Sequence, residues 1–137
     1  MIKQLTIFVE DKMGELTNIT TLLSQNNISI KSINLIDSSD FGLLRIIVDD
    51  YKKASEVLAE GGFSLKISDV LAVKIENRVG SFNDVVKTLS QNDINIEYLY
   101  TVDSDTKGIF IFKVAPKDLQ SAYDFLKKAD IEVVDNL

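Results

Sequence analysis

Leu23-Ser24-Gln25-Asn26 returns 66 residues later as Leu89-Ser90-Gln91-Asn92. Outward from that tetrapeptide the same offset holds without a gap, Leu5–Val48 against Leu71–Val114. Thirteen of the 44 positions are identical, where ordinary residue frequencies give about three. Ile28 and Ile30 fall on Ile94 and Ile96, Gly14 on Gly80, and Gly42 on Gly108. Toward the end the offset becomes 68 and brings Ala54, Leu58 and Phe63 onto Ala122, Leu126 and Ile131. Self-similarity at a fixed offset marks a copied structural unit. The chain reads as a duplication, 1–68 and 69–137, with the boundary near Ser68-Asp69. No linker rich in Pro, Gly or Ser parts the halves, so they are expected to sit close together.

Each half spells strand, helix, strand, strand, helix, strand. Leu5, Ile7 and Val9 alternate with outward positions, as do Leu71, Val73 and Ile75. A glycine turn follows, then an amphipathic helix with Leu16, Ile19 and Leu23, or Phe82, Val85 and Leu89, on one face. Second strands are expected from Ile28 to Ile36 and from Ile94 to Val102. Polar turns follow at Asp37–Phe41 and Asp103–Lys107, then third strands at Gly42–Val48 and Gly108–Val114. Asp50 is a candidate N-cap and Pro116 a candidate first residue for the second helices. Gly61-Gly62 closes the earlier one. Short strands end the halves around Phe63–Ile67 and Ile131–Val134. This order predicts an α+β fold of two tandem ferredoxin-like βαββαβ domains, antiparallel sheets with both helices on one face. A half of about 68 residues is a marginal core by itself, and edge-to-edge pairing of the halves would hide two sheet edges.

Composition narrows the function. Apolar residues at 45% and charged residues at 26% are those of a globular domain. No apolar run reaches the roughly 18 residues of a membrane span, and the alternating Met1–Val9 segment is no secretion signal. A cytoplasmic protein is expected. Cysteine is absent, which removes disulfides, thiol nucleophiles and Cys-ligated metals. Histidine is absent too, and with it the usual general base and the commonest metal ligand. An oxygen-only metal site stays open among the 21 carboxylates. The closest approach to one, Asp103-Ser104-Asp105, belongs to a hairpin turn. A net charge of −6 argues against nucleic acid. Lys, Tyr and carboxylates form no recognisable catalytic spacing, so no enzyme, cofactor or catalytic residue is expected.

Fold alone names no function. Metal-chaperone domains of this shape carry a Cys pair that is missing here. Lys107-Gly108-Ile109-Phe110-Ile111-Phe112 resembles an RNA-binding strand, in which alternate aromatics face outward onto bases. Lys113, expected in solvent, sets the phase against that reading. Ile109 and Ile111 then share the open sheet face, and Phe110, Phe112 and Val114 face the helices, as Leu44, Ile46 and Val48 do beside Arg45.

The first loops are Val9-Glu10-Asp11-Lys12-Met13-Gly14-Glu15-Leu16 and Ile75-Glu76-Asn77-Arg78-Val79-Gly80-Ser81-Phe82. A polar residue and Ile open each second strand, as Ser29-Ile30 and Asn95-Ile96. In this order the chain resembles the ACT domain, the amino-acid-sensing module of many metabolic enzymes, over nearly its whole length and twice. Met13 and Val79 stand where that family often has Pro. The resemblance implies a ligand held at a seam between ACT domains. Candidate contacts are Asp11, Met13, Gly14, Glu15 and Leu16 in one copy. In the other they are Asn77, Val79, Gly80, Ser81 and Phe82, with Asn95 and Ser29 from the second strands. A loop entering a helix offers free N–H groups and a positive dipole end to a carboxylate. Asp11, or the Asn77 amide oxygen, can accept bonds from an ammonium.

Plainer roles stand beside these. Gly14 and Gly80 suit a tight turn with or without ligand, Lys12 and Arg78 suit solvent, and Asp11 and Asn77 suit capping. The two loops differ in charge, which predicts unequal sites. Leu43, Ile47, Ile109 and Ile111 are expected on open sheet faces, enough apolar surface to call for self-association or docking. The expectation is a stand-alone regulatory protein that binds a free amino acid and acts as a homo-oligomer, a dimer, or through a partner metabolic enzyme. The alternative is a ligand-free regulatory subunit or interaction module, since the acetolactate synthase small subunit is similar in its first loop.

Overall fold

The computed structural model describes residues 1–38, 40–103 and 108–137. The chain divides into two compact units, Lys3–Ser68 and Asp69–Leu137 with Met1–Ile2. The elements in chain order are β1 (Ile2–Glu10), α1 (Glu15–Gln25), β2 (Ile30–Ser38), β3 (Phe41–Val48), α2 (Tyr51–Glu60) and β4 (Leu65–Lys74). They continue as α3 (Ser81–Gln91), β5 (Tyr98–Val102), β6 (Ile109–Lys113), α4 (Leu119–Lys128) and β7 (Glu132–Val134). The repeated α+β order is that of the ferredoxin-like fold. The last strand of the first copy and the first strand of the second, expected as separate pieces, form the single strand β4.

In the unit Lys3–Ser68, β1 and β2 both pair antiparallel with β3. Leu5 lies opposite Ile46 and Ile7 opposite Leu44, so these side chains share the face toward the helices. Ile19 and Leu23 of α1 and Ala54 and Leu58 of α2 close on them in one buried cluster. The unit Asp69–Leu137 repeats the scheme. Leu71 faces Phe112 and Val73 faces Phe110 across β4 and β6. Val85, Leu89, Ala122 and Leu126 complete that core. β5 and β7 pair with β6 and β4.

Ile28 and Ile94 do not open strands. Asn27 and Asp93 turn left-handed at φ 57° and 59°. The amides of Ile28 and Ile94 then donate to Leu23 O and Leu89 O at 2.9 and 3.0 Å. That 6→1 closure ends each helix, and the isoleucine plugs the core beneath it. After the same closure β2 starts at Ile30, whereas β5 starts only at Tyr98. Phe41, expected in a turn, pairs with Ser38 and Glu10 at the start of β3. Pro116 opens a 3₁₀ turn, Pro116–Asp118, that leads into α4. The turn expected at Asp103–Lys107 lies, beyond Asp103, outside the described residues.

Phe112 and Val114 are core, and Phe110 packs against it, so the aromatics are not an outward stacking platform. Lys113 corrects its expectation. It is buried, its stem covered on the sheet, and Nζ donates to Val114 O at 2.7 Å and lies 3.5 Å from Glu97. Arg45 is buried as well. Ile47, Ile109 and Ile111 are buried and Leu43 half-buried, so they add no exposed apolar surface. Ile111, for one, lies between its cross-strand neighbours Ala72 and Tyr100. Among the described residues the large apolar side chains exposed on the strands are Ile33 and Leu35 on β2, Ile67 on β4, Leu99 on β5, and Phe8 and Phe41, whose rings meet at 5.7 Å.

Asp50 caps α2, its Oδ1 accepting from the Lys53 amide at 3.1 Å. Asp50→Ala should therefore lower stability by about 1 kcal/mol in chemical denaturation. An unchanged midpoint would mean that solvent satisfies that amide equally well.

Candidate functional site

Each first helix begins at a glycine in the left-handed region, Gly14 at φ 87° and Gly80 at φ 92°. No side chain caps either helix, so Asp11 and Asn77 are not N-caps. The turn closes on the backbone instead. The Glu15 amide donates to Lys12 O at 3.4 Å and the Ser81 amide to Arg78 O at 3.1 Å. A Cβ on either glycine would meet nothing within 4 Å. Glycine is therefore required here by the handedness of the turn, and the space before it is open. The next N–H groups, of Leu16 and Thr17 and of Phe82 and Asn83, are among those a helix start leaves without intrahelical partners.

In the first copy, Asp11, Glu15 and Leu16 come together. They line a cavity of about 370 Å³ with Glu10, Lys12 and, from the β2–β3 hairpin, Leu35 and Asp37. Lys12 sits 3.0 Å from Glu10 and 3.8 Å from Glu15. The hydrogen bond to Glu10, then the charges of Glu10 and Glu15, push the Lys12 ammonium above its usual pKa. The cavity thus carries four carboxylates around one cation at its mouth and an apolar wall. An ammonium-bearing ligand matches that balance. Met13 stands fully exposed at the loop apex. Ser29 is elsewhere: its amide donates to Asp49 Oδ1 at 3.0 Å, and it lines a separate cavity of about 420 Å³.

The second copy diverges. Asn77, Val79 and Asn95 are exposed. The Phe82 ring packs 5.3 Å from Phe110 and 6.1 Å from Phe112. Ser81 is buried and lines, with Arg78 and Glu76, a cavity on the side of α3 that faces the α4–β7 turn. Arg78, expected in solvent, is exposed but lies 3.7 Å from Glu76 and 3.8 Å from Asp84. Glu10 and Asp37 were not among the sequence candidates. Their signal was present, an acidic residue directly before Asp11 and one in the hairpin, but only the fold brings a hairpin to a loop 26 positions upstream (37 − 11). Among the described residues no three His, Cys, Asp or Glu converge on a metal-sized site, and no helix is long and apolar enough to cross a membrane.

A duplicated βαββαβ unit with a glycine turn between first strand and first helix is the plan of a regulatory, ligand-binding class of domain. The chain belongs to the ACT domain pair family, whose model matches residues 1–136. It is similar to protein BT0572 of Bacteroides thetaiotaomicron at 31% identity and TM-score 0.88, over 97% of this chain and 91% of that one. The fold is also that of the aspartate kinase regulatory subunit from Thermus thermophilus in its ligand-free form. That match has 16% identity and TM-score 0.65, over 93% and 92% of the two chains. The corresponding Thermus flavus subunit shows 17% identity and TM-score 0.63, over 93% and 92%. No curated protein matches the chain.

Gly14→Ala and Gly80→Ala should each cost about 1–2 kcal/mol in thermal unfolding, because a Cβ is disfavoured at positive φ. Gly14→Asn should cost less, since Asn tolerates that region. Equal losses for Ala and Asn would point to a steric role that the open space around Gly14 does not support.

Proposed function

We propose that this ACT pair is a regulatory protein that binds a free amino acid at its first loops, each ligand held against a neighbouring ACT domain. The observation that carries this reading is the Asp11 cavity, where carboxylates, a helix start and the apolar Leu16 and Leu35 surround a space sized for one amino acid. The ammonium is taken by Asp11 and its acidic neighbours. The carboxylate is taken by the N–H groups after Gly14 and by Lys12, and the ligand side chain by Leu16. Met13 and Glu15 flank the loop. In the second copy the matching set is Asn77, Val79, Gly80, the backbone of Ser81, and Phe82, with Ser29 and Asn95 contributing where a second domain presents them. We take each ACT domain to be one half of the chain, 1–68 and 69–137. We place the protein in the cytoplasm, with an allosteric output.

The signal leaves through self-association or a partner enzyme. Ile33 and Leu35, exposed on a strand paired on one side only, support a dimer. A partner metabolic enzyme is the second reading. It is supported by the Thermus chains, described as regulatory subunits of aspartate kinase and covered over 92% of their length. In that role the pair need hold no ligand.

Thermal unfolding against the twenty amino acids at millimolar concentration decides between the readings. A ligand present at about 100 times its dissociation constant adds roughly 2.7 kcal/mol and raises the midpoint by roughly 10 °C. A flat panel would leave the ligand-free subunit. Asp11→Asn should weaken the hit and Asn77→Asp should strengthen binding at the second loop, both read by calorimetry. Identical affinities in the two variants would sink the claim that the loops are unequal.

A further inference from the structure

A further cavity lies beside α3. It measures about 660 Å³ and lies wholly within the second unit, between α3, the end of β4 and the turn from α4 into β7. Its floor is Ile75, Val85 and Ser81, all buried, and its rim is charged. Ser81 is 7% exposed, and its Oγ has no hydrogen-bond partner among the described residues. A buried hydroxyl without a partner costs about 1–3 kcal/mol and calls for an explanation.

The duplication supplies an internal control. The first copy has Leu22 at the place of Thr88 and Gly61 at the place of Ala129. There Leu22 packs on the core and presses so close to Gly61 that a Cβ would lie 2.7 Å from its Cδ1. In the second copy Thr88 is shorter and turned back on its own helix, its Oγ1 donating to Asp84 O at 2.7 Å. Ser81 likewise replaces Glu15. The exchange of Leu for Thr removes the apolar filling and leaves the Ser81 hydroxyl at the bottom of an opened groove.

The rim carries Lys74, Arg78 and Lys87 against Glu76, Asp84, Asp130 and Glu132. Its ion pairs are loose, Lys74 to Glu132 and Arg78 to Asp84 both at 3.8 Å, and exposed pairs of this kind are worth little. Both signs are therefore available to an incoming solute. We propose that this groove, which shares Ser81 with the second-copy loop but opens toward the α4–β7 turn, is a binding site distinct from the Asp11 cavity for a small zwitterion such as an amino acid. The solute's polar tail reaches Ser81 Oγ, its carboxylate meets Arg78 or Lys87, and its ammonium meets Asp130 or Glu132.

The test is amide NMR of the ¹⁵N-labelled full chain, titrated with each of the twenty amino acids at millimolar concentration. The expected result is that at least one shifts the amides of Thr88 and Asp130 saturably. Thr88→Leu combined with Ala129→Gly, which together restore the filling of the first copy, should keep the spectrum folded and abolish those shifts. Ser81→Ala should weaken the same titration about tenfold while leaving the unliganded midpoint unchanged or raised. Failure of every amino acid to move these amides, or a Thr88→Leu/Ala129→Gly protein that titrates like the parent, would overturn the proposal and leave the hydroxyl satisfied by water alone. Shifts confined to Asp11, Asp37 and the 77–82 loop would overturn it too, yet leave the first-loop reading standing. Shifts confined to Thr88 and Asp130 would do the reverse.

Discussion

Burial of one apolar stripe of each first helix against the inner face of its sheet carries the rest of this structure. Ile19 and Leu23 lie on Leu5, Ile7, Leu44 and Ile46, and Val85 and Leu89 lie on Leu71, Val73 and Phe112. A unit of this size has few such contacts to spare, so the helix has one place it can sit. Once it sits there, the strand-to-helix loop must reverse within a few residues. The left-handed Gly14 and Gly80 are the local consequence. The loops that bear the candidate ligand contacts are where they are because the helices behind them are held.

The same packing explains why two copies with one backbone plan carry different cavities. Positions in the two helix-facing core clusters vary only among apolar residues, as Ile19 against Val85. Positions at the helix flank are free to change character, and they have. Glu15 belongs to an acidic cavity shared with the hairpin, while Ser81 lies on the floor of a groove toward α4 and β7. Leu22 closes a space that Thr88 leaves open. Duplication has supplied two scaffolds, and substitution at the flank of one helix has given them unlike surfaces.

Charge follows the same division. The first loop gathers Glu10, Asp11, Glu15 and Asp37 around Lys12, and the neighbouring carboxylates hold the lysine more firmly protonated. The second loop replaces Asp11 by Asn77 and spreads its charges along both signs of a rim. In a field of that kind a few substitutions change which end of a zwitterion is favoured, with no change in fold.

The amino-acid sequence by itself determined the duplication, the α+β element order, the helix-facing phase of Phe110 and Phe112, and the cap at Asp50. Each of these depends on periodicity or on a partner three or four residues away. Tertiary structure alone decided the rest. Ile28 and Ile94 look like strand residues, but a helix-closing hydrogen bond claims their amides. Lys113 and Ile111 look exposed by alternation, but burial depends on what lies above a sheet face, which alternation does not encode. Asp37 joins Asp11, Ser29 leaves it, and Ser81 lines a cavity with the α4–β7 turn, because side chains distant in sequence meet only where packed elements bring them. Local pattern fixes which way a residue points within its own strand or helix, and the fold fixes what it meets there.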